Sequence, residues 1–224
     1  MGTDLLWENI FSSRPWGKYP SEELIRFVAG NFYKRQPRHQ VRIMEVGFGI
    51  GANLWFAARE GFCVFGIEGA PSGLAIAQSR LDAEVPGWRT HGASLVCGDM
   101  CERLPYESNS MDAVIDSAAV MCVLFEQAKA VYAELYRCAK PGGKLFVRTS
   151  NAGAWGDGTG KSCGLNAWQP IEGPTVGTGC VRFTSRADWS GLLGDWRIDS
   201  LELHSRTLEN GKRTYSEWIV IANK

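Results

Sequence analysis

The chain has 224 residues, with 24 basic and 24 acidic side chains. That length suffices for one well-buried domain, and the charge balance argues against a dedicated nucleic-acid or anionic-membrane surface. No apolar run approaches the roughly 20 residues that span a bilayer, and the start, M-G-T-D-L-L-W-E-N-I, lacks a basic-then-apolar signal pattern, so a soluble cytoplasmic protein is expected.

Residues 1–20 are aromatic-rich, with Trp7, Phe11, Trp16 and Tyr19. Pro15, Gly17 and Pro20 forbid a long helix there, while Trp7 and Phe11, four apart, suit a short helix docking on the body. Ser21 has the character of an N-cap, followed by Glu22 and Glu23 in a first turn and by Leu24, Ile25, Phe27 and Val28. A polar loop at 36–40 then leads into the first strand. From there strand-like runs at 41–46, 62–67, 94–97, 112–116 and 143–149 alternate with helix-like segments at 51–59, 71–81 and 125–139. Alternation of this kind predicts a parallel sheet covered by helices on both faces.

The segment 150–180 breaks the pattern. It is glycine-rich and aperiodic, and is read as a loop or lid. A helix at 185–193 and two strand-like runs at 197–206 and 213–222 close the chain. The turn at 208–211, L-E-N-G, contains Asn-Gly and marks a hairpin, so the sheet is expected to end in an antiparallel pair. The whole reads as a single domain: a helical lid or cap at 1–40, a cofactor-binding core at 41–149, the lid at 150–180 and a closing helix and hairpin at 181–224.

The chemistry concentrates at 41–68. An apolar run ends at Glu45, the glycine turn G-F-G-I-G follows, and a second apolar run ends at Glu68. Gly47, Gly49 and Gly51 permit a sharp turn and close approach of a ligand. The turn opens a helix whose free N–H groups favour negative charge, and an acid ending the second strand is placed to accept from a ribose. A nucleoside-containing cofactor is expected. The same stretch fits G-x-G-x-x-G/A, so a nicotinamide or flavin dinucleotide is an alternative. Against it, Glu45 suits a cationic amino group better than a pyrophosphate, and V-C-G-D-M places Asp99 after the third strand, where it can accept from an adenine amino group.

On E-V-G-F-G-I-G-A-N, G-I-E-G-A, G-D-M, M-D-A-V-I-D and L-Y-R-C-A-K-P-G-G-K-L-F, the chain resembles the class I S-adenosylmethionine-dependent methyltransferases over 41–149 and, in outline, the closing hairpin. The resemblance implies a doubly wound, mostly parallel seven-stranded sheet of order 3-2-1-4-5-7-6. It implies that Glu45, Gly47, Gly49 and Gly51 hold the methionine part of S-adenosylmethionine. Glu68 would take the ribose hydroxyls, with Gly69 beside it. Asp99 would take the adenine amino group, and Ala70 and Met100 would flank the ring. Glu68 stands where the family often has Asp, and Phe48 where a smaller residue is frequent. More narrowly, W-G-K-Y-P-S-E at 16–22 and R-T-L-E-N at 206–210 resemble bacterial methyltransferases that accompany glycan and other small-molecule pathways.

Three residues are candidates for the chemistry. Asp116 ends the fourth strand at the ligand edge, where it orients the sulfonium or acceptor, or simply caps the next segment. Arg148 ends the fifth strand and can bind an acceptor carboxylate or phosphate, or form an ion pair with Glu172 or Asp157. His204, with Arg206 near the end of the penultimate strand, is either a general base or a half-exposed strand histidine. Asp112 reads as a solvent contact at a strand start, and His39 and His91 fall at the opposite edge. Trp16 and Tyr19, with Trp155 and Trp168, are candidates for an aromatic wall. Of the seven cysteines, Cys63 and Cys97 sit in apolar runs as small buried hydrophobes. Cys97 and Cys101 lack the further ligands of a zinc set, so no metal is expected.

These features favour methyl transfer from S-adenosylmethionine to an O or N atom of a small molecule such as a sugar, glycan precursor or other metabolite. A nicotinamide-dependent oxidoreductase and a non-catalytic S-adenosylmethionine-binding protein are the alternatives. The segment after the fourth strand, D-S-A-A-V, carries no N-P-P-Y-like amide-methylation motif, which counts against RNA and protein acceptors. Neither the acceptor nor the oligomeric state follows from the sequence.

Overall fold

The computed structural model describes residues 3–224; Met1 and Gly2, which open the amino-terminal reading, lie outside the described residues. The chain runs α1 (Thr3–Ser13), α2 (Glu22–Phe32), β1 (Arg42–Val46), α3 (Ala52–Arg59), β2 (Cys63–Glu68), α4 (Pro71–Glu84), β3 (Ser94–Cys97), β4 (Met111–Ser117), α5 (Phe125–Cys138), β5 (Ala139–Ser150), β6 (Lys161–Gly164), β7 (Ala167–Gln169), β8 (Val181–Arg182), α6 (Asp188–Leu193), β9 (Arg197–Leu208) and β10 (Arg213–Asn223).

The main sheet has seven strands in the order β3-β2-β1-β4-β5-β10-β9, the expected Rossmann-like methyltransferase topology. β1, β2, β3, β4 and β5 pair in parallel, and β10 pairs antiparallel with both β5 and β9. Two antiparallel steps leave β9 running in the direction of β5, so its carboxyl end reaches the same edge. The central strands are apolar along their length because helices cover both faces; Ile43, Met44, Val46, Val114 and Ile115 are fully buried.

The helices follow the sequence periodicity. α5 buries Ala128, Val131, Tyr132, Leu135 and Cys138, spaced to make one stripe. α2 buries Leu24, Phe27, Val28 and Phe32, and its N-cap Ser21 accepts from the Leu24 N–H. Glu209, Asn210 and Gly211 turn the final hairpin with positive φ, the conformation that Asn and Gly tolerate best.

Three expectations need correction. The segment 150–180 is folded: β6, β7 and β8 form a second antiparallel sheet, seated on a small core of Met121, Cys122, Ala154, Val181, Phe183 and Tyr215. Its glycines serve turns between very short strands, which carry too few residues to show a period. Asp112 is a buried hub rather than a solvent contact. It pairs with Arg35 at 3.0 Å and Lys140 at 2.6 Å and accepts from the Arg42 backbone N–H, because two cations and a strand N–H converge on the start of β4. Cys97 is exposed while Cys63 is buried, since β3 is the edge strand and only one of its faces is covered.

Candidate active site

The carboxyl ends of the parallel strands open into a cavity of about 760 Å³, within the range of small-molecule sites. Its floor is the β1–α3 turn. Gly47, Gly49 and Gly51 all have positive φ. A Cβ on Gly47 would stand 2.4 Å from the Ala119 Cβ, so the turn has no room for a side chain there.

Two acids frame this turn. Glu68, at the end of β2, accepts from the Gly49 N–H through Oε2 at 2.7 Å and from the Ala70 N–H through Oε1 at 2.9 Å. Glu45, at the end of β1, is buried; its Oε1 accepts from the Asn53 amide at 2.6 Å. Its Oε2 has no hydrogen-bond partner among the described residues. Burial pushes the Glu45 carboxyl up to about 8, with the charges of Asp116 and Glu68 adding to the rise. A buried carboxylate oxygen without a partner, lining a cavity, fits a cationic group. That is what the ammonium of S-adenosylmethionine would supply.

Asp99, exposed after β3, closes a tight turn by accepting from the Cys101 N–H at 2.8 Å. Met100 and Gly69 line the cavity beside it, whereas Ala70 lies behind the wall. The roof comes from the amino terminus. Trp7 and Phe11 of α1 pack edge-to-face with Trp16, their ring centroids 5.6 and 5.9 Å from it. All three line the cavity with Tyr19. Glu8 fixes α1 to the start of α4, taking hydrogen bonds from the Ser72 N–H and hydroxyl.

The structure separates the three candidates for chemistry. Asp116 is fully buried and does not line the cavity. Oδ1 accepts from the Ala119 and Val120 N–H groups, each at 3.0 Å, and Oδ2 from the Tyr132 hydroxyl at 2.7 Å. Of the two readings of this strand-end acid, it takes the cap. His204 also lies outside the cavity, its ring between Glu23 at 3.2 Å and Glu202 at 3.3 Å. β9 does reach the ligand edge, but it is the edge strand, two strands beyond β5. Arg148 lines the cavity. Its ion-pair partner is Glu217 at 2.8 Å, not Glu172 or Asp157, because β10 lies directly beside β5. Trp155 and Trp168 are outside the wall; Trp155 donates instead to Glu172. His39 and His91 stack on each other at 4.0 Å.

Several lining residues escaped the sequence reading. Asn53 is the polar member of the first turn of α3 and could have been suspected from its place after the glycines. Cys122, Cys163 and Cys180 also line the cavity. The Cys122 thiol points at the Ala118 carbonyl, 4.0 Å away, and that of Cys163 at the Lys161 carbonyl, 3.9 Å away. Burial raises both Cys122 and Cys180 to about 12, so these groups are neutral. Cys163 and Cys180 are far from β4 in sequence, and only the folding of the second sheet brings them here.

Residues 44–147 match the family described as "Methyltransferase domain". That segment, just under half of the chain, contains the glycine turn with Glu45, Glu68 and Asp99. The group that the turn and its two acids fit is S-adenosylmethionine. Among solved structures, the chain is similar to an S-adenosylmethionine-dependent methyltransferase from Methanosarcina mazei, with 18% identity over 88% of this chain and 96% of that one and a TM-score of 0.63. It is similar over its full length, and over 92% of the other chain, to a protein studied for conversion of a disulfide bond into a thioacetal group during echinomycin biosynthesis, with 16% identity and a TM-score of 0.70. A third likeness is to phosphoethanolamine N-methyltransferase 2 of Haemonchus contortus, solved in complex with S-adenosyl-L-methionine. It shows 16% identity over 98% of this chain and 56% of that one, with a TM-score of 0.63. At such identities these likenesses bear on the fold. No curated protein matches the chain. Among the described residues no helix is long and apolar enough to cross a membrane.

Proposed function

We propose that the protein moves the methyl group of S-adenosylmethionine to an O or N atom of a small-molecule acceptor such as a sugar, a glycan precursor or another metabolite. The observation that carries the cofactor site is the Glu45 Oε2 at the floor of the glycine turn, buried with no partner among the described residues. In this reading Glu45 receives the methionine ammonium, Gly47, Gly49 and Gly51 let the backbone approach, and Glu68 accepts from the ribose hydroxyls at the end of β2. Asp99 takes the adenine amino group, Gly69 and Met100 shape the adenine slot with Ala70 supporting it from behind, and Trp16 and Tyr19 wall it.

The bound cofactor supplies an activated methyl group on a good leaving group. What the protein contributes is alignment and exclusion of water. Among the described lining residues after β4 and at the end of β5 there is no carboxylate or histidine to act as a base: Asp116 is committed to its cap, His204 lies outside, and burial keeps Cys122 and Cys180 neutral. The nucleophile is therefore one that attacks without help or loses its proton to water. α1 with the 14–21 segment, and the sheet bearing Cys163 and Cys180, would close over both ligands as lids. A roofed cavity suits a small acceptor better than a polymer, and the balanced charge gives nucleic acid no basic track. All seven cysteines are free thiols, the state that a reducing cytoplasm maintains.

Calorimetric titration with S-adenosylmethionine and S-adenosylhomocysteine tests this reading. Micromolar binding that collapses in Glu68→Ala supports it, and an acceptor screen beginning with sugars and nucleotide-sugars follows. Absence of binding to folded wild-type protein sinks it, and binding of NADH instead would point to an oxidoreductase.

A further inference from the structure

The cavity divides along the strand order. Glu45, Glu68 and Asp99, on β1, β2 and after β3, occupy one half. Residues after β4 and at the end of β5, with Cys163 and Cys180 above, make up the other half. Taking the first half as the cofactor's rests on the proposed function, and leaves the second half to the acceptor. Arg148 is the sole cation among the described lining residues and stands in that second half.

The guanidinium is built in. Nη2 donates to Glu217 Oε2 at 2.8 Å, and no other hydrogen bond to this side chain is made among the described residues. Its side chain is 27% exposed and that of Glu217 15%. Glu217 thus fixes the orientation of the fork while leaving Nε and Nη1 with donors to spend. Glu23 and His204 stand behind this pair, where Glu23 feels the charge of Arg148 and hydrogen-bonds His204. Ser21, the N-cap of α2, lines the cavity too. A planar guanidinium with free donors recognises a carboxylate or phosphate by paired, charge-assisted hydrogen bonds.

We propose that the methyl acceptor carries an oxyanion, a carboxylate or a phosphate ester, which Arg148 holds in the β4–β5 half of the cavity with Glu217 as its positioning residue. The anion fixes the acceptor at one end and presents its nucleophilic atom toward the cofactor half. Binding energy from this remote contact is what orients a substrate in a half-cavity with no carboxylate or histidine base among its described residues.

The test uses full-length protein saturated with S-adenosylhomocysteine and titrated calorimetrically with inorganic phosphate and with benzoate. The expected result is that at least one probe binds wild type, that Arg148→Gln weakens it tenfold or more, and that Arg148→Lys recovers part of the loss. Affinity for S-adenosylhomocysteine should stay within about twofold in both variants, a difference well under the 1.4 kcal/mol of a tenfold change; this also certifies that they are folded. The proposal is overturned if neither probe binds wild type or if Arg148→Gln binds as well as wild type. It also falls if cofactor affinity drops with Arg148, which would assign the guanidinium to the cofactor's own carboxylate. If wild type fails to bind S-adenosylhomocysteine at all, the cofactor assignment is what fails.

Discussion

Asn53 holds only one oxygen of Glu45. Its amide donates to Oε1 at 2.6 Å, and Oε2 stays buried without a partner among the described residues. The pair joins the end of β1 to the first turn of α3, across the glycine turn. Half-satisfaction of a buried carboxyl costs stability in the empty protein and pre-forms a receptor for a cation. Proton and cationic ligand therefore compete for one group.

The first prediction concerns binding. With its carboxyl raised to about 8, Glu45 is protonated at neutral pH in the empty protein and must ionise to receive an ammonium. Affinity for S-adenosylhomocysteine should rise with pH, by up to about tenfold per unit, and level off near the Glu45 value. Calorimetry in buffers of different ionisation enthalpy should register proton release at pH 7. In Glu45→Gln the slope should vanish and the affinity should be low throughout. A pH-independent wild-type affinity would remove Glu45 from the ammonium site.

Stability should follow the opposite trend. The folded protein keeps a proton on Glu45 that the unfolded chain releases once pH passes its ordinary value of 4.5. The stabilisation is complete below 4.5 and is lost as pH climbs toward about 8, a total on the order of a few kcal/mol. Asp116 is also raised by burial and contributes with the same sign. The diagnostic is therefore the difference between wild type and Glu45→Gln in urea melts. The variant should gain on wild type as pH rises from 5 to 8, by the linkage relation. Parallel curves would show that Glu45 is not titrating in that window.

Much of this architecture was legible in the chain. Alternation of strands and helices predicts the parallel sheet and the Asn-Gly turn its closing hairpin, whereas the strand order is what the methyltransferase resemblance implies. The floor of the site was legible for a related reason: glycines that must turn sharply between a strand and a helix leave a local signature, as at 47–51. What was hidden depends on distant contacts. Asp116 and Arg148 both end strands at the ligand edge, and no local pattern distinguishes the one that turns back to cap Ala119 and Val120 from the one facing the cavity. Cys163 and Cys180 reach the cavity only because β6, β7 and β8 pair, and such short strands are stabilised by what lies beneath them rather than by their own sequence.

Gly47 offers a test of the turn itself. Alanine there would meet the Ala119 Cβ at 2.4 Å and would have to hold a φ of +58°. Overpacking and left-handed strain each cost about 1–3 kcal/mol. Gly47→Ala should therefore lower Tm by several degrees and abolish measurable cofactor binding in the fraction that folds. Gly153→Ala, at positive φ with nothing within 4 Å, is the control. It should show the milder loss of strain alone, with binding intact. Equal damage from both would mean that the Ala119 contact is unimportant.

Asp116 and Tyr132 separate architecture from chemistry. The Tyr132 hydroxyl donates to Asp116 Oδ2 in a fully buried setting. Tyr132→Phe should cost about 1–3 kcal/mol for a lost bond to a buried acid. Once an acceptor is known, kcat/KM should change less than threefold, on the order of half a kcal/mol. The informative failure is a large drop in kcat at unchanged Tm, which would return Asp116 to the catalytic machinery.

The last prediction addresses the amino-terminal roof. Glu8 receives both the N–H and the hydroxyl of Ser72, at the positive end of α4, and this holds its carboxyl below the ordinary range. Trp7, Phe11 and Trp16 reach the cavity only while α1 lies along α4. If α1 is a lid, Glu8→Ala should unlatch it: amide exchange over 5–13 should quicken, S-adenosylhomocysteine should leave several-fold faster, and its association rate should change little, since most affinity differences reside in dissociation. The main sheet should keep its exchange protection, because the second core of Ile10, Phe11, Ile50 and Ala70 is separate from the sheet core. Unchanged exchange and unchanged dissociation in this variant would make α1 a fixed wall of the cavity rather than a moving one.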